Sequence, residues 1–94
     1  MSRSIDEVSD FEIGYAIGFL SAKGEPFTTI EIIRKILGTY QSDKDTPVVS
    51  SPNALFGKKL SQNAEGYRIQ RVLPDERDKD DSGNPTTTAI WRPV

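Results

Sequence analysis

The chain has no cysteine and no histidine among its 94 residues. The first absence excludes a disulfide framework and thiol chemistry. The second removes the commonest general base and the commonest metal ligand together. A zinc site would have to be built from carboxylates alone, which zinc disfavours. Long apolar runs are missing too. None exceeds three residues, as in Ala89-Ile90-Trp91, far short of the ~20 needed to span a bilayer. The start, Met1 to Glu7, has no apolar core of a signal peptide. A cytoplasmic protein with no membrane partner is expected. Apolar residues are also scarce, at 35%. A chain this short buries roughly 60–65% of its unfolded surface, enough for one modest core. One domain over residues 1–94 is expected, with part of it polar loop.

What is present is patterned. Ser9 or Asp10 can cap a first helix over about Asp10 to Ala22, and Asp10 and Glu12 suit its positive end. Ile13, Ala16, Ile17 and Leu20 make one apolar stripe. Phe11, Tyr15 and Phe19 make a second beside it, so the apolar arc is wide and the helix is expected at the centre of the core. Gly14 and Gly18 lie four apart; they either admit a close neighbour or are merely tolerated. Gly24 and Pro26 end the segment. Residues 1–9 precede it as an extension that can lengthen the helix.

The second helix has the clearest start. Thr28 and Glu31 form a capping box, and Phe27 and Ile32 occupy the staple positions around it. Ile30, Ile33 and Leu37 form its stripe, and Gly38 closes it. Residues 41–49 read as a linker of turn formers, with Val48-Val49 as a short extended piece. A third helix starts with Ser51 as cap and Pro52 in its first turn. Phe56 and Leu60 face inward, while Asn53, Lys58, Ser61 and Gln62 share the outward side.

From Tyr67 the period changes from helix to strand. Tyr67–Leu73 alternates, and Thr86–Val94 is rich in strand formers. Between them residues 75–85 carry no apolar side chain and contain the turn signal Ser82-Gly83-Asn84-Pro85. A mobile loop is expected there. Three helices followed by a hairpin define an α+β chain with the layout of a winged helix-turn-helix. In that layout the third helix enters the DNA major groove and the hairpin wing reaches the backbone.

Charge supports that reading locally. The net charge is −2. Residues 50–74, however, set Lys58, Lys59, Arg68 and Arg71 against Glu65 alone, a net of +3. A basic face counts for more than the total. Asn53 and Gln62 can read adenine edges; Lys58 and Lys59 can meet guanine or phosphate. Ser51 belongs to the helix N-terminus, a natural phosphate site. Arg68, Arg71, Arg34 and Lys35 can hold the flanking backbone. A single domain has a small footprint, so a homodimer is expected on duplex DNA, and Ser2–Ser9, as an extension of the first helix, can supply its interface. Catalysis has little to work with, and no catalytic residue, metal or cofactor is expected. The acidic cluster from Asp75 to Asp81 lacks the glycine and glutamate placement of an EF-hand loop.

The segment Ser51/Pro52, Phe56-Gly57-Lys58-Lys59-Leu60, then Tyr67-Arg68-Ile69-Gln70-Arg71, then Ile90-Trp91 resembles the small winged-helix domains of phages, plasmids and mobile elements. Among these it is similar to the C-terminal module of phage and plasmid primase-helicases. The resemblance implies a DNA-binding accessory domain without enzyme activity, acting in transcription regulation, replication or recombination. The wing departs from that pattern: Asp75, Glu76, Asp78, Asp80 and Asp81 outnumber Arg77 and Lys79. A negative wing suits a protein partner better than phosphate. The alternative is therefore a winged helix that contacts protein, as a subunit or a viral or phage inhibitor.

Overall fold

The computed structural model describes residues 4–42 and 51–94. Within them the chain is α+β, with three α-helices and one three-stranded antiparallel sheet. The order is α1 (Asp10–Ser21), β1 (Phe27–Thr28), α2 (Thr29–Leu37), α3 (Pro52–Gln62), β2 (Ile69–Lys79) and β3 (Pro85–Pro93). Strands lie in the order β1-β3-β2, so β3 is central and β2 is an edge. Most of the expected linker at 41–49, including Val48-Val49, lies outside the described residues. No helix among the described residues is long and apolar enough to cross a membrane.

Local chemistry sets the helix starts. The Ser9 hydroxyl accepts from the Glu12 amide, and Glu12 Oε2 accepts from the Ser9 amide at 2.9 Å. Thr28 and Ser51 cap α2 and α3 by accepting from the amides of Glu31 and Ala54, at 3.1 and 3.0 Å. Each such cap satisfies a donor that the helix itself leaves orphaned, worth ~1 kcal/mol. α2 stops at Gly38, whose φ of 82° is the left-handed conformation that glycine adopts without a Cβ penalty.

The core joins both layers. Ile13, Ile17 and Leu20 of α1, Ile30, Ile32 and Ile33 of α2, and Phe56 and Leu60 of α3 close on Phe27, Ile69 and Trp91 of the sheet. Trp91 lies on the central strand, opposite Phe27 on one side and Arg71 on the other. Its indole N–H donates to the Thr29 hydroxyl at 2.9 Å, so the one polar atom of the ring is satisfied.

Four features depart from the sequence reading. The stripe Phe11, Tyr15 and Phe19 does not enter the core; these rings are 80%, 67% and 49% exposed. Only the isoleucine face of α1 has a layer to pack against. The N-terminal segment does not lengthen α1. It makes a separate 3-10 turn at Ile5–Glu7 that buries Ile5 and Val8. Phe27 and Thr28 pair with Trp91 and Ile90 as a short strand that no periodicity announces. Finally, β2 starts at Ile69 and continues to Lys79 past a register shift between Val72 and Glu76. Residues 75–79, expected in a loop, belong to the strand, and Glu76–Lys79 pair with Pro85–Thr88. Charged side chains suit an edge strand, where they discourage pairing with another chain.

Candidate nucleic-acid interface

α3 has two faces. Phe56 and Leu60 are fully buried. Leu55, Lys58, Ser61 and Gln62 are exposed on the far side of the helix. Lys58 has no ion-pair partner among the described residues. An anchored helix thus presents the Lys58 ammonium, unpaired among the described residues, and the Gln62 amide, while the Ser61 hydroxyl donates to the Gly57 carbonyl at 3.2 Å.

The other residues expected in the interface are distributed differently. Ser51 is 6% exposed and its hydroxyl serves as the α3 cap. It is therefore the cap that the sequence leads one to expect, and it does not stand on the outward face of α3. Asn53 is half-buried and donates from Nδ2 to the Gln41 carbonyl at 2.8 Å. That bond turns it toward the chain leaving α2. Lys59 pairs with Asp10 of α1 at 2.8 Å. The hydrogen bond and charge of Lys59 hold the Asp10 carboxyl below the ordinary carboxylate range, and Asp10 raises Lys59 in return. Tyr67 donates to the same carboxylate at 3.4 Å; partial burial, then the Asp10 charge, push its phenol up. Arg71 pairs with Asp75 at 2.7 Å. Arg68 is exposed in the turn before β2, with a φ of 59°. Lys35 places its ammonium 3.6 Å from the centre of the Phe19 ring, a cation–π contact.

Arg34 is engaged within the chain. Its Nε and Nη2 both donate to Asp81 Oδ1, at 3.0 and 2.8 Å, and Nη2 also reaches the Lys79 carbonyl at 3.3 Å. It ties α2 to the hairpin tip. The same tip is fastened elsewhere. Asp81 Oδ2 accepts from the Thr39 hydroxyl at 2.6 Å and the Tyr40 amide at 2.9 Å, and the Asp81 amide donates to the Tyr40 carbonyl. Those donors, the Thr39 hydroxyl first, keep the Asp81 carboxyl below its usual range. Asp80, 5% exposed, accepts from Ser42, Ser82 and Asn84. Much of the wing's acidity is therefore spent inside the molecule, on the segment that follows α2.

This fastening was not visible in the sequence, because its partners lie about forty residues apart and have no periodic signature. No group of three or more acidic side chains placed to hold a metal occurs among the described residues. Comparison with protein-family models, curated proteins and solved structures finds no match to this chain.

Proposed function

We propose that the chain is a winged helix that binds duplex DNA in the cytoplasm, with α3 in the major groove. It would serve as a small transcription regulator or as a replication or recombination accessory, like the phage and plasmid domains it resembles. The observation that carries this reading is the division of α3 into a buried edge at Phe56 and Leu60 and an open edge at Lys58 and Gln62. The element order and the β1-β3-β2 sheet suit it. Lys58 and Gln62 meet the groove; Lys59 and Arg68 hold phosphate at its margin. The Lys59–Asp10 pair is solvent-exposed, and exposed pairs are worth only ~0–1 kcal/mol. A phosphate can displace Asp10 at little cost.

A second reading has one specific observation in its favour. Arg34, Lys59 and Arg71 are all paired with carboxylates of the chain itself. A surface neutralised in this way suits a protein partner.

Titration of duplex DNA at several salt concentrations separates the two. On the DNA reading, log affinity falls linearly with log salt, at about 0.9 per neutralised phosphate. The double variant Lys58→Glu, Lys59→Glu then loses measurable binding. Absence of binding by the parent chain at low salt transfers the function to the protein-contact reading.

A further inference from the structure

We infer that α1 is the interface of a symmetric homodimer, formed by packing its outward aromatic stripe antiparallel against that of a second copy. The inference is independent of DNA binding, because the stripe shares no residue with the open edge of α3.

α1 is apolar on both sides, yet the fold covers only one. The inward side buries Ile13, Ala16, Ile17 and Leu20. The outward side carries Phe11, Gly14, Tyr15, Gly18, Phe19 and Ala22, bordered by Glu12 and by Lys35 of α2, whose ammonium lies over Phe19. A helix that is apolar all round belongs in an interior, and this one is left half in solvent. Isolated apolar residues on a surface need no explanation, but a contiguous patch does. Three large rings on successive turns of one helix are such a patch.

The order of the rings favours a second copy as the occupant. Phe11 and Phe19 flank Tyr15 at equal spacing. A two-fold axis through Tyr15 sets Phe11 of each copy against Phe19 of the other and the two Tyr15 rings against each other. That is an isologous contact, in which one patch complements itself. Charge follows the same symmetry. Glu12 lies at the start of α1, beside an Asp10 already paired with Lys59 of its own chain, while Lys35 lies over Phe19 near the helix end. Antiparallel packing brings the acidic turn of one copy to the lysine of the other.

The backbone leaves room for close packing. A Cβ added at Gly14 or Gly18 would meet nothing within 4 Å. Each glycine costs ~1 kcal/mol of helix propensity, and nothing within the monomer requires either one. Beside the stripe, a groove between α1 and α2 is lined by Phe11, Tyr15, Ala16 and Ile36, with Glu12 and Lys35 at the same groove, and can seat an opposing ring.

The rings alone supply only part of the area a standard interface buries. At the exposures given above the three rings offer roughly 400 Å² per copy, about half of what a standard interface buries on each side. The flanking Ala22, Lys35 and Ile36 extend it.

Sedimentation equilibrium from low micromolar to submillimolar concentration tests the interface. The expected mass is twice the 10.5 kDa of the chain, and Tyr15→Lys, which sets two ammonium groups on the axis, sediments as a monomer. A monomer throughout, or a dimer that survives Tyr15→Lys, overturns the inference; a monomer would leave the stripe to a different protein. Because the chain has no cysteine, disulfide trapping gives a second readout. Tyr15→Cys should crosslink to itself under mild oxidation. Phe11→Cys should crosslink with Phe19→Cys in a mixture and not with itself. Self-crosslinking of Phe11→Cys alone would indicate parallel helices and overturn the arrangement.

Discussion

Asp80→Asn is expected to lower the melting temperature by several degrees and to release the hairpin tip while the helices stay folded. The Asp80 carboxylate is nearly filled. Oδ1 accepts from the amides of Ser82 and Asn84 at 3.0 and 2.8 Å. Oδ2 accepts from the Ser42 amide and hydroxyl at 3.0 and 2.7 Å and from Asn84 Nδ2 at 3.1 Å. Asparagine keeps the shape but supplies one carbonyl oxygen and an NH2 group. Whichever way it is turned, the NH2 faces at least one backbone N–H and leaves it unpaired, and orphaned donors are costly. Amide hydrogen exchange at Ser42, Ser82 and Asn84 should accelerate in the variant, and exchange in α1 should not. Unchanged exchange and melting would show that the carboxylate is not what fastens the tip.

The same geometry fixes the pH dependence. The Ser42 backbone N–H, with the other donors behind it, holds the Asp80 carboxyl well below the ordinary range. A depressed folded value means that the stabilisation is complete above the unfolded value of about 4. It is lost as pH falls through the folded value. The gap between parent and variant should therefore be constant from neutral pH down to about 4, and close only in stronger acid. Asp81, lowered by Thr39, Tyr40 and Arg34, shifts in the same sense. The tip should come away from α2 in acid as one unit.

Local signals were legible and distant ones were not. The caps at Ser9, Thr28 and Ser51 and the stop at Gly38 depend on neighbours within a turn, so the sequence displays them. The inward edge of α3 was equally readable, because Phe56 and Leu60 are its only large apolar residues at a spacing of four apart from Leu55. α1 was not, because its isoleucine and aromatic stripes are both apolar. Only the position of the sheet and α2 decides which one is covered. The strand Phe27–Thr28 is too short to show a period. Glu76, Arg77 and Asp78 have weak strand propensity of their own and are held by pairing to the threonines of β3. Among the site residues, Lys58 and Gln62 were readable as outward by helical spacing. The diversion of Ser51, Asn53 and Arg34 to internal bonds depends on Ala54, Gln41 and Asp81, and the last two lie too far off in sequence for local rules to see.

Phe56→Ala is expected to cost about 3–5 kcal/mol, a large part of the ~5–15 kcal/mol that holds a domain together. Lys58→Glu should stay within about 0.5 kcal/mol of the parent. The contrast follows from how α3 is made. Its 11 residues fall short of the ~12–15 at which an isolated helix becomes marginally stable, and Gly57 in its middle weakens it by a further ~1 kcal/mol. The helix therefore persists only because Phe56 and Leu60 are gripped by the core. Urea unfolding followed by circular dichroism, with the fluorescence of the single buried Trp91 as a second probe, measures both variants. A loss below about 1 kcal/mol for Phe56→Ala would mean that the core does not grip α3. Comparable losses for both would mean that Lys58 is part of the packing. Either result removes the firm platform on which the open edge depends. If the contrast holds, Lys58 can be altered for its contacts alone, and any change in binding reports on the partner and not on the fold.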